Sequence, residues 1–104
     1  RIDYLDSLGG EGQAYTAAMI RYLQAEFDAG DRDSHFPNWN VNPQARGPMQ
    51  ENKYDCGVFT CASMYQAALD PTWSFTQADA PRLRQAIGMT LLRPEGIQHY
   101  FNPD

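Results

Sequence analysis

The chain has 104 residues, a length that suits one small domain, and we assign residues 1–104 to a single domain. Its hydrophobic share of 42% and charged share of 20% are ordinary for a folded protein and argue against disorder. The formal net charge is −5 and the basic residues are scattered, so we expect no nucleic-acid partner. No apolar run approaches the roughly 18 residues of a membrane span, so we expect no membrane partner.

The first half of the sequence predicts a strand followed by a helix. A weakly alternating pattern over residues 1–5 predicts the strand, and the glycines at 9–10 predict a tight turn after it. Apolar residues that recur every four positions predict a helix from Gln13 to Phe27. Residues 31–34 are charged or polar and are predicted to form an exposed loop.

The second half predicts another strand and a helix. Trp39 and Val41 alternate with asparagines between two prolines, which predicts a short strand, and residues 44–54 are predicted to be loop. A helix is predicted from Cys56 to Leu69, with Asp55 as its N-cap residue. The expected apolar face of this helix comprises Val58, Cys61, Ala62, Tyr65, Ala68 and Leu69.

A last helix is predicted after a capping-box pattern. Thr76 and Asp79 have the required spacing, with Asp in place of the usual Glu. The helix should end near Pro94, and residues 94–104 have no assignment. Its apolar face should carry Leu83, Ile87 and Leu91. The order strand, helix, strand, helix, helix predicts an α+β fragment.

The two cysteines, Cys56 and Cys61, are five residues apart in a predicted helix. Helical geometry puts their Cα atoms roughly 8 Å apart, which is beyond disulfide reach. No Cys/His cluster has the spacing of a zinc site, so we expect no metal and no other cofactor. Cys61 falls on the apolar face and is predicted to belong to the core.

Cys56 stands where a loop meets the first turn of a helix. The unpaired N–H groups and the positive end of the helix dipole favour the thiolate, which is the nucleophilic form. Gly57 removes side-chain bulk beside the sulfur, and the Cys56 N–H can face an oxyanion on an attacked carbonyl. Gln50, on the preceding loop, has an amide that can supply a second donor. The alternative from the residues alone is a small buried cysteine with no chemistry.

Three separated motifs resemble segments of the Ulp1/SENP family of ubiquitin-like-protein peptidases. The segment Gln50–Phe59 resembles the nucleophile segment, Tyr4–Gly10 the strand end with the acidic member of the triad, and Phe75–Arg84 the segment before the last helix. They occur in the family's order. The resemblance implies a papain-like fold, of which this chain would be a C-terminal fragment lacking the N-terminal part of the catalytic domain.

The resemblance also implies a role for three residues. Cys56 would be the nucleophile, and Gln50 would line the oxyanion hole together with the Cys56 N–H. Asp6 would orient a histidine and stabilise its cationic form, the third-group role of a catalytic triad. The alternative for Asp6 is an ordinary turn carboxylate, because Asp before Ser and Gly is common in turns.

The histidine of the triad has no match in this chain. In the family it lies in a His-Trp pair upstream of the acidic residue, whereas His35 and His99 stand elsewhere and are predicted to be surface residues. We therefore expect the isolated chain to be inactive. Trp39 and Trp73 do not match the family's substrate clamp and are predicted to be packing residues.

The activity implied by the resemblance is removal of a ubiquitin-like modifier, of the SUMO or NEDD8 type, after its C-terminal Gly-Gly through a thioester on Cys56. Unpaired thiols and the family both suggest a nuclear or cytoplasmic location. One alternative is a clan-related acyltransferase, which acetyl-CoA-dependent labelling of Cys56 would favour. The other is a non-catalytic module that only binds the modifier.

Overall fold

The computed structural model describes residues 1–30 and 35–103, so the loop predicted at 31–34 lies outside the described residues. The chain divides into two compact units, the first from Arg1 to Arg46 and the second beginning at Gly47. The first unit contains β1 (Ile2–Asp3), α1 (Gln13–Ala29) and β2 (Val41–Asn42). The second contains α2 (Cys56–Ala68), α3 (Ala80–Leu92) and α4 (Ile97–Phe101), with short 3₁₀ turns at Gln77–Asp79 and Pro94–Gly96.

The strands β1 and β2 pair in parallel, with Ile2 opposite Val41 and Asp3 opposite Asn42. Parallel neighbours need a crossover connection, and α1 lies between them in the chain. Both strands are shorter than the sequence predicts. Pro43 directly follows β2 and cannot donate a hydrogen bond to the ladder, which accounts for its early end.

The helix α1 is confirmed and extends two residues beyond the predicted end, but three of its large apolar side chains are exposed. Tyr15 is 67% exposed, Tyr22 59% and Met19 48%, whereas Leu23 and Phe27 are half-buried. A sheet of two two-residue strands is too small to cover a 17-residue helix.

The core of the second unit lies between α2 and α3 and is closed by α4. Phe59 and Leu83 are its largest fully buried side chains. Phe59 meets Phe75 edge to face with ring centroids 5.2 Å apart. Truncating such a buried side chain to Ala typically costs about 2–5 kcal/mol, so this cluster is the main source of stability in the unit.

The start of α2 is confirmed, but part of its predicted apolar face is wrong. Val58, Ala62 and Tyr65 are buried as expected, whereas Cys61 is exposed. The sequence pattern also missed Phe59, which is 1% exposed. At 100° per residue, Cys61 lies roughly 90° around the helix from the centre of the buried face, which explains its exposure.

The two other predicted members of that face, Ala68 and Leu69, are also exposed. They lie at the C-terminal end of α2, where Leu69 is already the C-cap residue, beyond the part of the helix that packs. On α3, Leu83 is buried and Ile87 half-buried, but Leu91 is 82% exposed, so the predicted face packs only over its first two positions.

The unassigned tail contains α4, which the sequence analysis missed. Its Phe101 is 3% exposed and stacks on Tyr65, with ring centroids 4.5 Å apart and planes 12° from parallel. The apolar spacing of Ile97, Tyr100 and Phe101 was a signal for this helix, but five residues are too few for a periodicity to be recognised. The α+β class is confirmed, and the papain-like architecture stays a prediction.

Candidate active site

The nucleophile predicted from the sequence, Cys56, is the first residue of α2, and its side chain is exposed. The helical hydrogen bonds begin with the Phe59 N–H, which donates to the Asp55 carbonyl at 3.0 Å. The N–H groups of Cys56, Gly57 and Val58 are therefore the ones that a helix start leaves without an acceptor inside the helix. An exposed thiol at this position can meet an incoming carbonyl carbon.

Gly57 leaves open space beside the nucleophile. Apart from its two chain neighbours and the backbone of its own helix, a Cβ atom built at Gly57 would meet no atom of the described residues within 4 Å. The fold therefore does not require glycine at this position. The space is available to a molecule that approaches Cys56.

Gln50, the predicted second oxyanion donor, is 8% exposed and lies on the loop before α2. Its Nε2 donates to the backbone carbonyl of Asn52 at 2.6 Å. This bond folds the Gln50 side chain back along its own loop. The orientation of its amide toward a substrate stays a prediction.

Asn52 shapes the loop between Gln50 and Cys56. Its side-chain Oδ1 accepts hydrogen bonds from the N–H groups of Tyr54 at 3.2 Å and Asp55 at 3.0 Å. Asparagine commonly forms such local turns. The turn delivers the chain to the first residue of α2 in a defined direction.

Asp55 is the N-cap residue of α2, as the sequence predicts, although its side chain does not cap the helix. The side chain makes no capping bond and instead accepts hydrogen bonds from three other side chains. Asn52 Nδ2 donates to Oδ2 at 2.7 Å, Gln77 Nε2 donates to the same oxygen at 2.8 Å, and Arg84 pairs with Oδ1. We call these four residues, Asn52, Asp55, Gln77 and Arg84, the Asp55 cluster.

The Asp55 cluster stabilises a buried carboxylate in its ionised form. Asp55 is only 4% exposed, which by itself would favour the neutral acid. The hydrogen bond from Asn52 outweighs this burial and, together with the hydrogen bonds from Arg84 and Gln77 and the charge of Arg84, lowers the pKa of Asp55 below its ordinary value of 3.8. Asp55 therefore carries a negative charge at neutral pH, directly before Cys56.

Asp6, the predicted acidic member of the triad, lies in the first unit and is half-buried. Its Oδ1 accepts from the Leu8 N–H at 2.8 Å, and its Oδ2 accepts from the Gly10 N–H at 3.1 Å. A Cβ atom on Gly10 would lie 2.3 Å from Oδ2, so this approach requires a glycine. Asp6 is therefore a turn carboxylate, the alternative that the sequence left open. The N–H groups of the turn bind both of its oxygens.

Tyr4 contributes to the surroundings of Asp6. Its hydroxyl is 3.5 Å from Asp6 Oδ2, and its ring stacks on Tyr15 with centroids 5.4 Å apart. Burial, followed by the negative charge of Asp6, raises the pKa of Tyr4 above its ordinary value of 10.0. The hydroxyl therefore stays protonated and donates to the carboxylate at neutral pH.

Gln50 and Cys56 both belong to the second unit and lie on either side of the Asn52 turn. Asp6 belongs to the first unit, and its pairing with Cys56 through a histidine stays a prediction. His35 and His99 are both exposed, as predicted. Trp73 is buried in the core of the second unit, and Trp39 is half-buried.

Sequence reasoning did not identify Asn52, Gln77 and Arg84 as members of the site. All three stand within the motifs that carry the family resemblance, so the signal was present. Asn52 binds the Asp55 carboxylate from three residues away, but Gln77 and Arg84 bind it from 22 and 29 residues away, and such contacts have no local sequence pattern.

Within residues 1–30 and 35–103, no group of three or more His, Cys, Asp or Glu side chains is placed to hold a metal ion. In the same part of the chain, no helix combines the length and the hydropathy needed to cross a membrane.

The structure is that of an α+β protein with an exposed cysteine at the start of a helix. The sequence model of the Ulp1 protease family, C-terminal catalytic domain, matches residues 1–93. The chain therefore belongs to the Ulp1 protease family. No solved structure matches it significantly.

Several curated proteins are similar to the chain. A sentrin-specific protease of Caenorhabditis elegans is 34% identical over 88 residues, which are 84% of this chain and 13% of that protein. Human sentrin-specific protease 3 is 34% identical over 86 residues, covering 83% of this chain and 15% of the relative. Human sentrin-specific protease 2 is 30% identical over 98 residues, which cover 90% of this chain and 16% of the relative. The matched part is thus about one-seventh of each relative's length.

Proposed function

We propose that this chain carries the nucleophile of a cysteine peptidase that removes a ubiquitin-like modifier of the SUMO type after its C-terminal Gly-Gly. The observation that supports this most is the exposed thiol of Cys56 on the first residue of α2, preceded by a loop that carries the Gln50 amide. Membership of the Ulp1 protease family supports the reaction class.

In the proposed reaction, the Cys56 thiolate attacks the carbonyl carbon of the modifier's last glycine. The carbonyl oxygen becomes an oxyanion, which the Cys56 N–H and the Gln50 amide stabilise. The bond to the leaving amine then breaks, the amine takes a proton, and a thioester remains on Cys56. Water hydrolyses this thioester and releases the modifier with a free carboxylate.

The names of the relatives favour a SUMO-type modifier, and the space at Gly57 can admit a Gly-Gly tail. The curated relatives are named sentrin-specific proteases, which favours a SUMO-type modifier; a NEDD8-type modifier is the other candidate. The open space at Gly57 admits a main chain that carries no side chains close to Cys56. We place the protein in the nucleus or cytoplasm, where the exposed thiols of Cys56 and Cys61 stay reduced.

We further propose that residues 1–104 alone do not turn over substrate. Neither His35 nor His99 stands at the family's histidine position, and the chain would lack the base that activates Cys56. General acid–base catalysis contributes about 10²–10⁴-fold, and triad members act as a unit, so the loss can be larger. A paired assay of residues 1–104 and of the full-length protein that carries this chain tests this proposal.

The test of the function uses that full-length protein and a SUMO fluorogenic conjugate. We expect hydrolysis by the wild type and a loss of roughly 10⁴-fold or more in Cys56→Ala. Cys61→Ala is the matched control, because Cys61 is exposed on the same helix, and it should retain activity. A Cys56→Ala protein with wild-type hydrolysis would rule out the proposal; binding without hydrolysis, or acetyl-CoA-dependent labelling of Cys56, would favour the alternatives.

A further inference from the structure

Asp55 directly precedes the nucleophile, yet its carboxylate does not serve the helix that it adjoins. It is 4% exposed, and it binds side chains from the loop, from the 3₁₀ turn Gln77–Asp79 and from α3 instead of capping α2. One buried carboxylate therefore joins three segments of the second unit at the residue before Cys56. Its position is fixed from outside α2.

Gln77 extends this connection to the loop that carries Gln50. Its Nε2 donates to Asp55 Oδ2, and its Oε1 accepts from the Glu51 N–H, each at 2.8 Å. Glu51 directly follows Gln50, whose own amide donates to the Asn52 carbonyl. The backbone on which Gln50 stands is thus bound to the same side chain that binds Asp55.

Taking the proposed function as given, we propose that Arg84 and Gln77 are positioning residues for the reaction. Through Asp55 and the Glu51 N–H, they set the Gln50 amide and the Cys56 N–H at the separation that the oxyanion requires. Oxyanion donors act at about 2.7–3.1 Å from the oxygen, and a misplacement of about 1 Å can cost about 100-fold in rate. Neither residue touches the substrate.

Arg84 is suited to this function by its charge and its geometry. Its side chain is 52% exposed, whereas that of its partner Asp55 is 6% exposed, so the pair places an accessible cation on a buried anion. Without Arg84 the Asp55 carboxylate would be buried and only partly compensated. The loop would then have to open to let water reach it, and Gln50 would move with the loop.

The test measures steady-state hydrolysis of the SUMO conjugate by the full-length protein. Arg84→Met removes the charge and the donors but keeps the stem, Arg84→Lys restores the charge, and Gln77→Met removes both hydrogen bonds of its amide. Arg82→Met is the control, because Arg82 also lies on α3 and donates to a backbone carbonyl, that of Phe101, at 2.8 Å. The melting temperature is recorded for each variant.

We expect Arg84→Met to lower kcat by about 10- to 100-fold with KM within about twofold, because the donors are displaced and the binding surface is not. Arg84→Lys should recover part of the lost kcat, and Gln77→Met should lower kcat by about 5- to 10-fold. Arg82→Met should keep kcat within about twofold even where its melting temperature falls.

The inference is overturned if Arg84→Met and Gln77→Met both keep wild-type kcat, or if Arg82→Met loses as much kcat as Arg84→Met. Should Arg84→Met not fold, the result for Gln77→Met decides. If the wild type shows no Cys56-dependent hydrolysis, the proposed function is wrong, and the inference that rests on it is wrong as well. If the wild type hydrolyses the conjugate and the Arg84 and Gln77 variants keep its kcat, only the inference is wrong.

Discussion

The carboxylates of Asp6 and Asp55 are held in different ways: that of Asp6 by its own turn, and that of Asp55 by one neighbour in its loop and two side chains from distant segments. Asp6 accepts from the N–H groups of Leu8 and Gly10, two and four residues further along the chain. Asp55 accepts from side chains that include residues 22 and 29 positions away. The orientation of Asp6 therefore depends on local backbone, whereas that of Asp55 depends on the packing of the second unit.

The two aspartates thus illustrate two ways in which a protein holds a carboxylate in position. A carboxylate held by backbone N–H groups keeps its direction when side chains elsewhere change. A carboxylate held by side chains from several segments keeps its position only while all of those segments stay packed. Substitution of Asp6 should therefore change mainly catalysis, whereas substitution of Asp55 should change mainly the stability of the second unit.

The largest expected effect is on catalysis, from Asp6→Asn in the full-length protein. The amide keeps an oxygen that can accept from the Leu8 N–H but places its NH2 group against the Gly10 N–H, so the melting temperature should fall modestly while the protein stays folded. By the logic of a triad, loss of the carboxylate should lower kcat by about 10⁴-fold, because a histidine is no longer oriented and stabilised as a cation. Asp3→Asn, which affects only an exposed pair with Arg1, is the control. If Asp6→Asn keeps near-normal kcat, Asp6 is a turn residue only.

The next largest effect is expected from Gln50→Ala. Removal of one oxyanion donor typically lowers kcat by about 10²–10³-fold. Steady-state kinetics should show this loss in kcat with little change in KM. Gln44→Ala, an exposed loop glutamine, should have wild-type kinetics. Equal kinetics for the two variants would exclude Gln50 from the oxyanion hole.

A smaller effect, on stability in acid, is expected at Asp55. Because its pKa in the folded protein is lowered below 3.8, its contribution to stability is complete above that pH and is lost as the pH falls through the folded-state pKa. Hydrogen-exchange protection of α2 should therefore decrease below about pH 4 in the wild type. In Asp55→Asn, protection should already be lower at pH 7 and should change less with acid. An equally steep decrease in Asp55→Asn would contradict the assignment.

The smallest expected effect on the fold comes from Gly57→Ala. Beyond its chain neighbours and its own helix backbone, the new Cβ meets no atom of the described residues within 4 Å. Alanine also favours a helix by up to about 1 kcal/mol over glycine, so thermal unfolding should show equal or higher stability. The methyl group would, however, occupy space that we assign to the modifier's tail. We expect a higher KM for the SUMO conjugate, and an unchanged KM would place the tail elsewhere.

Much of the local structure could be predicted from the sequence, because local patterns determine it. The start of α2 at Cys56 and the capping box of Thr76 and Asp79 are examples, and the box is confirmed with both of its bonds. The Asp6 turn belongs here as well, since Asp before Ser and Gly binds the N–H groups that follow.

The contacts between distant segments could not be predicted in the same way. Nothing near Asp55 indicates that its partners include Gln77 and Arg84, so an N-cap was the reasonable local expectation. The exposure of Cys61 likewise depends on which side of α2 meets Phe75 and Leu83. The helix period leaves that choice open, and tertiary packing decides it.

The most direct measurement is to map where a SUMO probe with a C-terminal vinyl sulfone attaches to the full-length protein. Peptide mass spectrometry after the reaction should place the adduct on Cys56, and the adduct should disappear in Cys56→Ala and persist in Cys61→Ala. Attachment at Cys61, or no attachment to a folded protein, would contradict the assignment of Cys56 as the nucleophile.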